Sequence, residues 1–320
     1  MKKSVRIKPQ YRKMMKIMSI IILLMLLAGC SVASSPDEQL SDLNGKIYFD
    51  SNRNGNYEIY SMNADGSNII NITNTPEYDE MMPAVSPDGN TVVFMRAEHY
   101  DFASNELWTA DADGGNARQL TDNSSADGHA DFAPDSKHIV YVSWRDGNEE
   151  LYIMNIESGE DTRITHHNAS DNDPDWSPDG AYISFKSTRA YTDSSEAEFL
   201  DIRYEIYEMD TAGSSITRLT NDSLSDHDPD YSPDSNDIAF LRVFDDNTND
   251  VCIMKRDGSG IENLSVTGNN WYTSFSPDGQ HIAFCSTRDE STDIYIMARD
   301  GSNPIRVTFG LFTDEFPAWR

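Results

Sequence analysis

The chain has 320 residues, 38% of them hydrophobic, enough for a sizeable globular core and too few for a protein that crosses a membrane many times. Its net charge is −29, with 54 acidic against 25 basic residues. Such a surface repels nucleic acid and anionic lipid headgroups and draws in cations or basic partners.

Residues 1–16 are basic, and Ile17 to Leu27 is an apolar run too short for an ordinary spanning helix but suited to the hydrophobic region of a secretory signal. Leu27-Ala28-Gly29-Cys30 follows and resembles the bacterial lipobox, in which the cysteine becomes the lipid-modified first residue after cleavage. Residues 1–29 therefore read as a lipoprotein signal peptide, and Cys30 as the site of lipidation. The body is then anchored on the non-cytoplasmic side of a bacterial membrane, periplasmic or extracellular. Cleavage removes seven basic residues and leaves 18 basic against 54 acidic, a balance of −36. Residues 30–45, which contain Ser, Pro, Asp and Gln with little to bury, read as a flexible tether. The two remaining cysteines, Cys252 and Cys285, fall inside predicted strands and read as separate buried thiols.

From Lys46 to Arg320 the pattern is all β, with short Ile, Val, Tyr and Phe runs broken by Gly, Asp and Asn every 8 to 12 residues. One turn organises it. Ser177-Pro178-Asp179-Gly180 recurs as Ser86-Pro87-Asp88-Gly89, Ala133-Pro134-Asp135-Ser136, Ser232-Pro233-Asp234-Ser235 and Ser276-Pro277-Asp278-Gly279. A spacing of 44 to 55 residues marks an array of supersecondary units. Each unit predicts four strands: one before the turn, as in Asp173 to Trp176; one after it, as in Ile183-Ser-Phe; a third such as Ile206-Tyr207; and a fourth ending in a pair such as Leu219-Thr220. Six such units cannot each bury two faces alone, so the expectation is a closed six-bladed β-propeller, four antiparallel strands per blade. The first unit begins at its second strand, Lys46 to Asp50, and Phe316 to Trp319 supplies the missing first strand.

The run Pro-x-Trp-Ser-Pro-Asp-Gly, Ile-x-Phe-x-Ser-x-Arg, Ile-Tyr-x-Met, Asp-Gly and Leu-Thr is similar to the repeat of the TolB-like, WD-like β-propellers over residues 46–320. The resemblance implies a propeller whose first strands line a channel, with the fourth-to-first connections and the second-to-third hairpins sharing one face. TolB carries a separate α/β domain ahead of its propeller, for which a 15-residue tether leaves no room. The group also includes a metal-dependent oligogalacturonate lyase with histidine ligands.

Several positions are candidates for function. Three residues before the proline slot stand Glu80, Asp127, Asp171, Asp226, Asn270 and Asp314, so five carboxylates are expected around one channel mouth. They offer negative potential to a cationic peptide, a basic loop or a hydrated metal, or pair with arginines of the next strand. Arg53, Arg145, Arg189 and Arg288 share one position and are expected in bidentate pairs with those acids, whereas Arg96 and Arg242 are shifted by two residues and need not play the same part. His129 and His227 read as equivalent, one residue before the proline slot, and are the candidates for a metal. Asp50-Ser-Asn52-Arg-Asn54-Gly55 imitates the start of a Ca²⁺ loop but lacks the acid at its end, where Ser61 stands, and reads as a hairpin turn. The long hairpin Ser187 to Arg203 and the shorter one at His99 to Phe102 are expected to carry recognition. Trp176, Tyr231, Phe132, Phe275 and Trp319 read as core between blades.

No nucleophile elbow, His-Glu-x-x-His or Cys-x-x-Cys is present. The expectation is a non-catalytic, monomeric cell-envelope lipoprotein without a cofactor, whose acidic channel mouth binds a protein or peptide. The alternatives are a metal-dependent polysaccharide-acting enzyme using His129 and His227, and a structural spacer in the envelope.

Overall fold

The computed structural model describes Leu40 and residues 43–98, 101–192, 203–244, 248–264, 267–289 and 291–320. The signal peptide, Cys30 and most of the tether lie outside the described residues, as do positions 99–100 and 193–202 of the two hairpins.

Six four-stranded antiparallel sheets make a six-bladed propeller. Their innermost strands are Tyr78–Val85, Asp127–Phe132, Asp171–Trp176, Ser225–Tyr231, Asn270–Phe275 and Asp314–Trp319. The last of these pairs with Lys46–Ser51, so one blade is built from both ends of the repeat array. Reciprocal bonds between Lys46 and Arg320 at 2.6 and 2.9 Å lock that junction, and Trp319 Nε1 donates to the Asn44 carbonyl at 2.9 Å.

Each turn after an inner strand closes on itself. In Ser86 to Gly89 the serine hydroxyl donates to Asp88 at 2.6 Å and accepts from the Thr91 N–H at 3.0 Å. The same bonds form at Ser177, Ser232 and Ser276. That circuit explains why serine and aspartate flank the proline at this spacing.

The core lies between blades. Val140, Val142 and Leu151 of one pack with Ile183, Phe185, Tyr207 and Met209 of the next. Phe132, Tyr231, Phe275 and Trp319 are buried as expected, and Trp176 is partly buried against the same layer. Cys252 and Cys285 are free and buried.

The fourth strands are shorter than the sequence suggests. They span two or three residues, such as Ile70–Asn71 and Thr217–Arg218, and stop before the Ile-Thr or Leu-Thr pair. The threonine instead turns its hydroxyl onto the third strand, accepting from Ile59, Leu107, Leu151, Ile206 and Ile294 at 2.8 to 3.0 Å. A side-chain oxygen thus replaces a ladder carbonyl, and the edge of each blade ends there.

Candidate functional site

Every inner strand carries a β-bulge at the residue preceding the proline slot. Met82, His129, Asp173, Asp228, Tyr272 and Phe316 all adopt φ between 47° and 55° there. A positive φ in six non-glycine residues at one repeat position is a device, since each such bulge re-aims one side chain. These residues, with the prolines beside them, line a central channel cavity of about 150 Å³.

The alignment of the bulges corrects the histidine reading. His129 occupies a bulge and matches Asp228, whereas His227 stands one residue earlier and is not its equivalent. His129 Nδ1 lies 2.8 Å from Asp173 Oδ1, and Asp173 Oδ2 lies 2.6 Å from Lys186 Nζ. Burial alone would raise Asp173, but the charges of Lys186 and His129 hold it well below the usual carboxylate range. Burial and the neighbouring Asp173 raise Asp228 well above that range, and the two share a hydrogen bond. His227 lies on the Tyr204 ring, centroids 5.1 Å apart, with Nε2 2.9 Å from Ser225 Oγ. Burial and the Lys186 charge push it down to about 4, so it is neutral at pH 7. Among the described residues no group of three or more His, Cys, Asp or Glu is arranged to hold a metal.

The five predicted acids lie beside the channel lining, not in it. Glu80, Asp127, Asp171, Asp226 and Asp314 are almost fully buried, and each faces an arginine of its own blade. Arg53 meets Asp314 at 2.8 Å, Arg189 meets Asp171 at 2.6 Å, and Arg145 stands 3.8 Å from Asp127. Arg288 donates to Asn270 at 3.1 Å. The pairs formed by these four are not bidentate, because each Nε is engaged by the serine two residues earlier, Ser51, Ser143, Ser187 or Ser286. The two shifted arginines do play the same part. Arg242 grips Asp226 with two bonds of 2.7 and 2.8 Å, and Arg96 Nε reaches Glu80 at 2.8 Å. Neither has that serine, so the guanidinium starts two residues nearer the acid. Thr75 also donates to Glu80, and Asn123 to Asp127 at 2.6 Å. Burial pushes Glu80 up to about 7 and raises Asp171 and Asp226, while in each case the arginine pulls back. This collar fixes the connections around the mouth and offers little open charge.

A second acidic ring was not anticipated. Asp131, Asp175 and Asp230 stand one residue past the proline slot and line the channel further along the same strands. Each spans to the neighbouring blade: Oδ2 of Asp131, Asp175 and Asp230 accepts from the N–H of Trp176, Tyr231 and Phe275 at 2.8, 2.7 and 2.8 Å. Ser274 does the same for Trp319 at 3.0 Å. Burial raises all three, and Asp230 reaches about 7; Asp131 and Asp230 both push Asp175 higher. Arg320 supplies a nearby positive charge, 3.9 Å from Asp131. The signal was an aspartate at the same offset in three consecutive repeats.

The proposed Ca²⁺ imitation is a turn. Gly55 donates to the Asn52 carbonyl at 3.0 Å, Asn52 Oδ1 accepts from Thr313 at 3.0 Å, and Asp50 is buried with Oδ2 on the Met82 N–H at 3.0 Å. Two of its oxygens are thus held by backbone rather than presented to an ion.

Hairpins and fourth-to-first connections do share a face: Asn56 and Asn148 of the hairpins donate across to Thr75 and Tyr78, and to His167 and Ala169. That face exposes Phe309 at 69%, Leu311 at 86%, Phe312 at 38% and Trp144 at 49%. Gly310 makes the first loop possible, since at φ 145° a Cβ there would strike the Phe312 ring at 2.5 Å. Of the Ser187 to Arg203 hairpin, Arg189–Thr192 forms one helical turn.

Fold and site together define a six-bladed propeller whose acid–arginine collars frame a loop-bearing mouth. The chain belongs to the TolB beta propeller domain family, which matches residues 30–143, 81–185 and 128–319. An uncharacterized protein of Agrobacterium fabrum is 32% identical over 106 residues, 31% of this chain and 36% of that protein. The Tol-Pal system protein TolB of Geobacter sulfurreducens is 36% identical over 63 residues, 20% of this chain and 15% of that one. The matches thus span about a third or less of these relatives. In three dimensions TolB from Acinetobacter baumannii superposes with a TM-score of 0.72 at 21% identity, covering 87% of this chain and 67% of that one.

Proposed function

We propose that the protein is a non-catalytic envelope lipoprotein, tethered to a bacterial membrane through Cys30, that captures a protein or peptide partner on the face where the hairpins and fourth-to-first connections meet. The carrying observation is the exposed apolar set Phe309, Leu311, Phe312 and Trp144 on that face of an otherwise highly charged chain. Exposed apolar clusters rimmed by polar residues are the usual mark of a protein-binding surface. An overall charge of −29 favours a partner with basic character. Membership of a family named for TolB, a component of the Tol-Pal system in one relative, supports an envelope setting. Glu80, Asp127, Asp171, Asp226 and Asp314 contribute by holding the face in shape.

The test is capture of envelope proteins on the immobilised chain. A partner retained at low salt is expected to be released as salt rises, and to be lost when Phe309, Leu311 and Phe312 are all changed to Ser. Retention that ignores both changes sinks the reading.

A further inference from the structure

Six residues stand two before the proline slot: Met81, Gly128, Asn172, His227, Trp271 and Glu315. The single glycine opens a hole. A Cβ at Gly128 would sit 3.2 Å from Met95 Sδ and 3.5 Å from Asn105 Nδ2, so any side chain there would project into the space in front of them. That space is a cavity of about 440 Å³ on the mouth face, within the range of roughly 300 to 1,000 Å³ typical of ligand pockets. Met81, Met82, Met95 and Trp144 form the apolar part of its lining, beside polar members that include Asn105, His129 and Asn172. Glu149 and Glu315 also line it.

Those two carboxylates are short of partners. Glu149 Oε1 accepts from Asn172 Nδ2 at 2.6 Å, and Glu315 takes a hydrogen bond from Trp271. The positive groups that act on Glu149, Lys186 and His129, are themselves bonded to Asp173. Burial is the largest cause acting on both glutamates and raises both, more than Lys186 and His129 draw Glu149 back. An anion would be repelled here, and a purely apolar side chain would leave both acids desolvated and unmatched. A long basic side chain satisfies both parts, its stem on the methionines and the Trp144 ring and its head between the glutamates.

We propose that this pocket is the anchor site of the partner and takes one arginine or lysine side chain of a protein segment. The proposal rests on the mouth-face reading above and names what that face recognises. Trp144 is the second mark of it: the corresponding residue between serine and arginine is Asn52, Thr188 or Thr287 in other blades.

The experiment titrates the full chain with the blocked peptide Gly-Leu-Arg-Leu-Gly and with its Gln counterpart, followed by NMR of the peptide signals. The arginine peptide is expected to bind about ten-fold tighter than the glutamine peptide. Glu149→Gln should weaken it by about ten-fold and Trp144→Ala by roughly two- to five-fold, Gly128→Leu should abolish it, and the remote surface change Glu262→Gln should leave it unchanged. Equal affinity for the two peptides in the wild type overturns the proposal, as does an arginine peptide that fails to bind or ignores Glu149→Gln and Trp144→Ala. Should the captured envelope partner be retained by those two variants, the pocket is excluded while the mouth-face function stands.

Discussion

Two sets of carboxylates stand around the channel, five on five of the inner strands and three on three of the same strands, four residues further along, and they differ in their partners. In the collar of Glu80, Asp127, Asp171, Asp226 and Asp314 each acid has an arginine from its own blade, often stacked on an aromatic ring, as Arg96 lies 3.9 Å over Trp108. In the inner ring of Asp131, Asp175 and Asp230, each acid braces a backbone N–H of the next blade, and one arginine, Arg320, lies close to them. Burial is comparable in kind, yet the consequence differs. A buried carboxylate with its own cation becomes a structural joint; among three that share one cation, the neighbouring acids add to burial in raising Asp175 and Asp230.

The sharpest way to break this contrast is to remove the best-paired acid. Asp226→Ala removes the two-bond partner of Arg242 and leaves it Asp222 at 2.9 Å, so it should cost about 3 kcal/mol in chemical denaturation, whereas the joint change Asp226→Leu with Arg242→Met should restore most of it. A loss well under 1 kcal/mol would mean the collar is ornamental.

Taking an acid from the inner ring should do the reverse. Asp230 titrates near 7 in the fold against 3.8 in the free side chain, with burial the main cause. Between those values the folded chain holds the proton more tightly than the unfolded one, so this group's contribution is full below about 4 and fades as pH rises through about 7. Asp230→Asn keeps an oxygen for the Phe275 N–H and removes the charge. It should therefore stabilise the protein by about 1 to 2 kcal/mol at pH 8 and flatten the fall in thermal midpoint between pH 5 and pH 8. A variant that loses stability at pH 8 would place a full, welcome charge on Asp230.

The weakest collar member offers the smallest effect. Arg145 stands 3.8 Å from Asp127, is paired more closely with Asp161 at 2.8 Å, and leaves Asp127 with Asn123 as a hydrogen-bond donor. Arg145→Gln should cost about 1 kcal/mol or less, measurable beside Asp226→Ala in the same denaturation series.

Much of this was legible in the chain itself. Five copies of a Pro-Asp turn, four of them Ser-Pro-Asp, and six sets of paired β runs dictate six sheets, because turn chemistry and strand alternation are local properties that each repeat states independently. The acid and arginine positions were legible too, as was the option that they pair. Direction was not. Whether Asp127 faces open water or Arg145 depends on how the next strand packs beside it, whereas the match of His129 with Asp228 could have been counted, since His227 stands two residues before Pro229.

The sequence alone thus determined the number of blades, the closure through Trp319 and the division of each blade into strands, since these follow from repeated short-range patterns. Only the tertiary structure decided which acids are neutralised, which share protons, and that Gly128 leaves a gap beside Trp144. Those outcomes arise where neighbouring blades meet around an axis, and distance and desolvation there are set by residues more than forty positions apart.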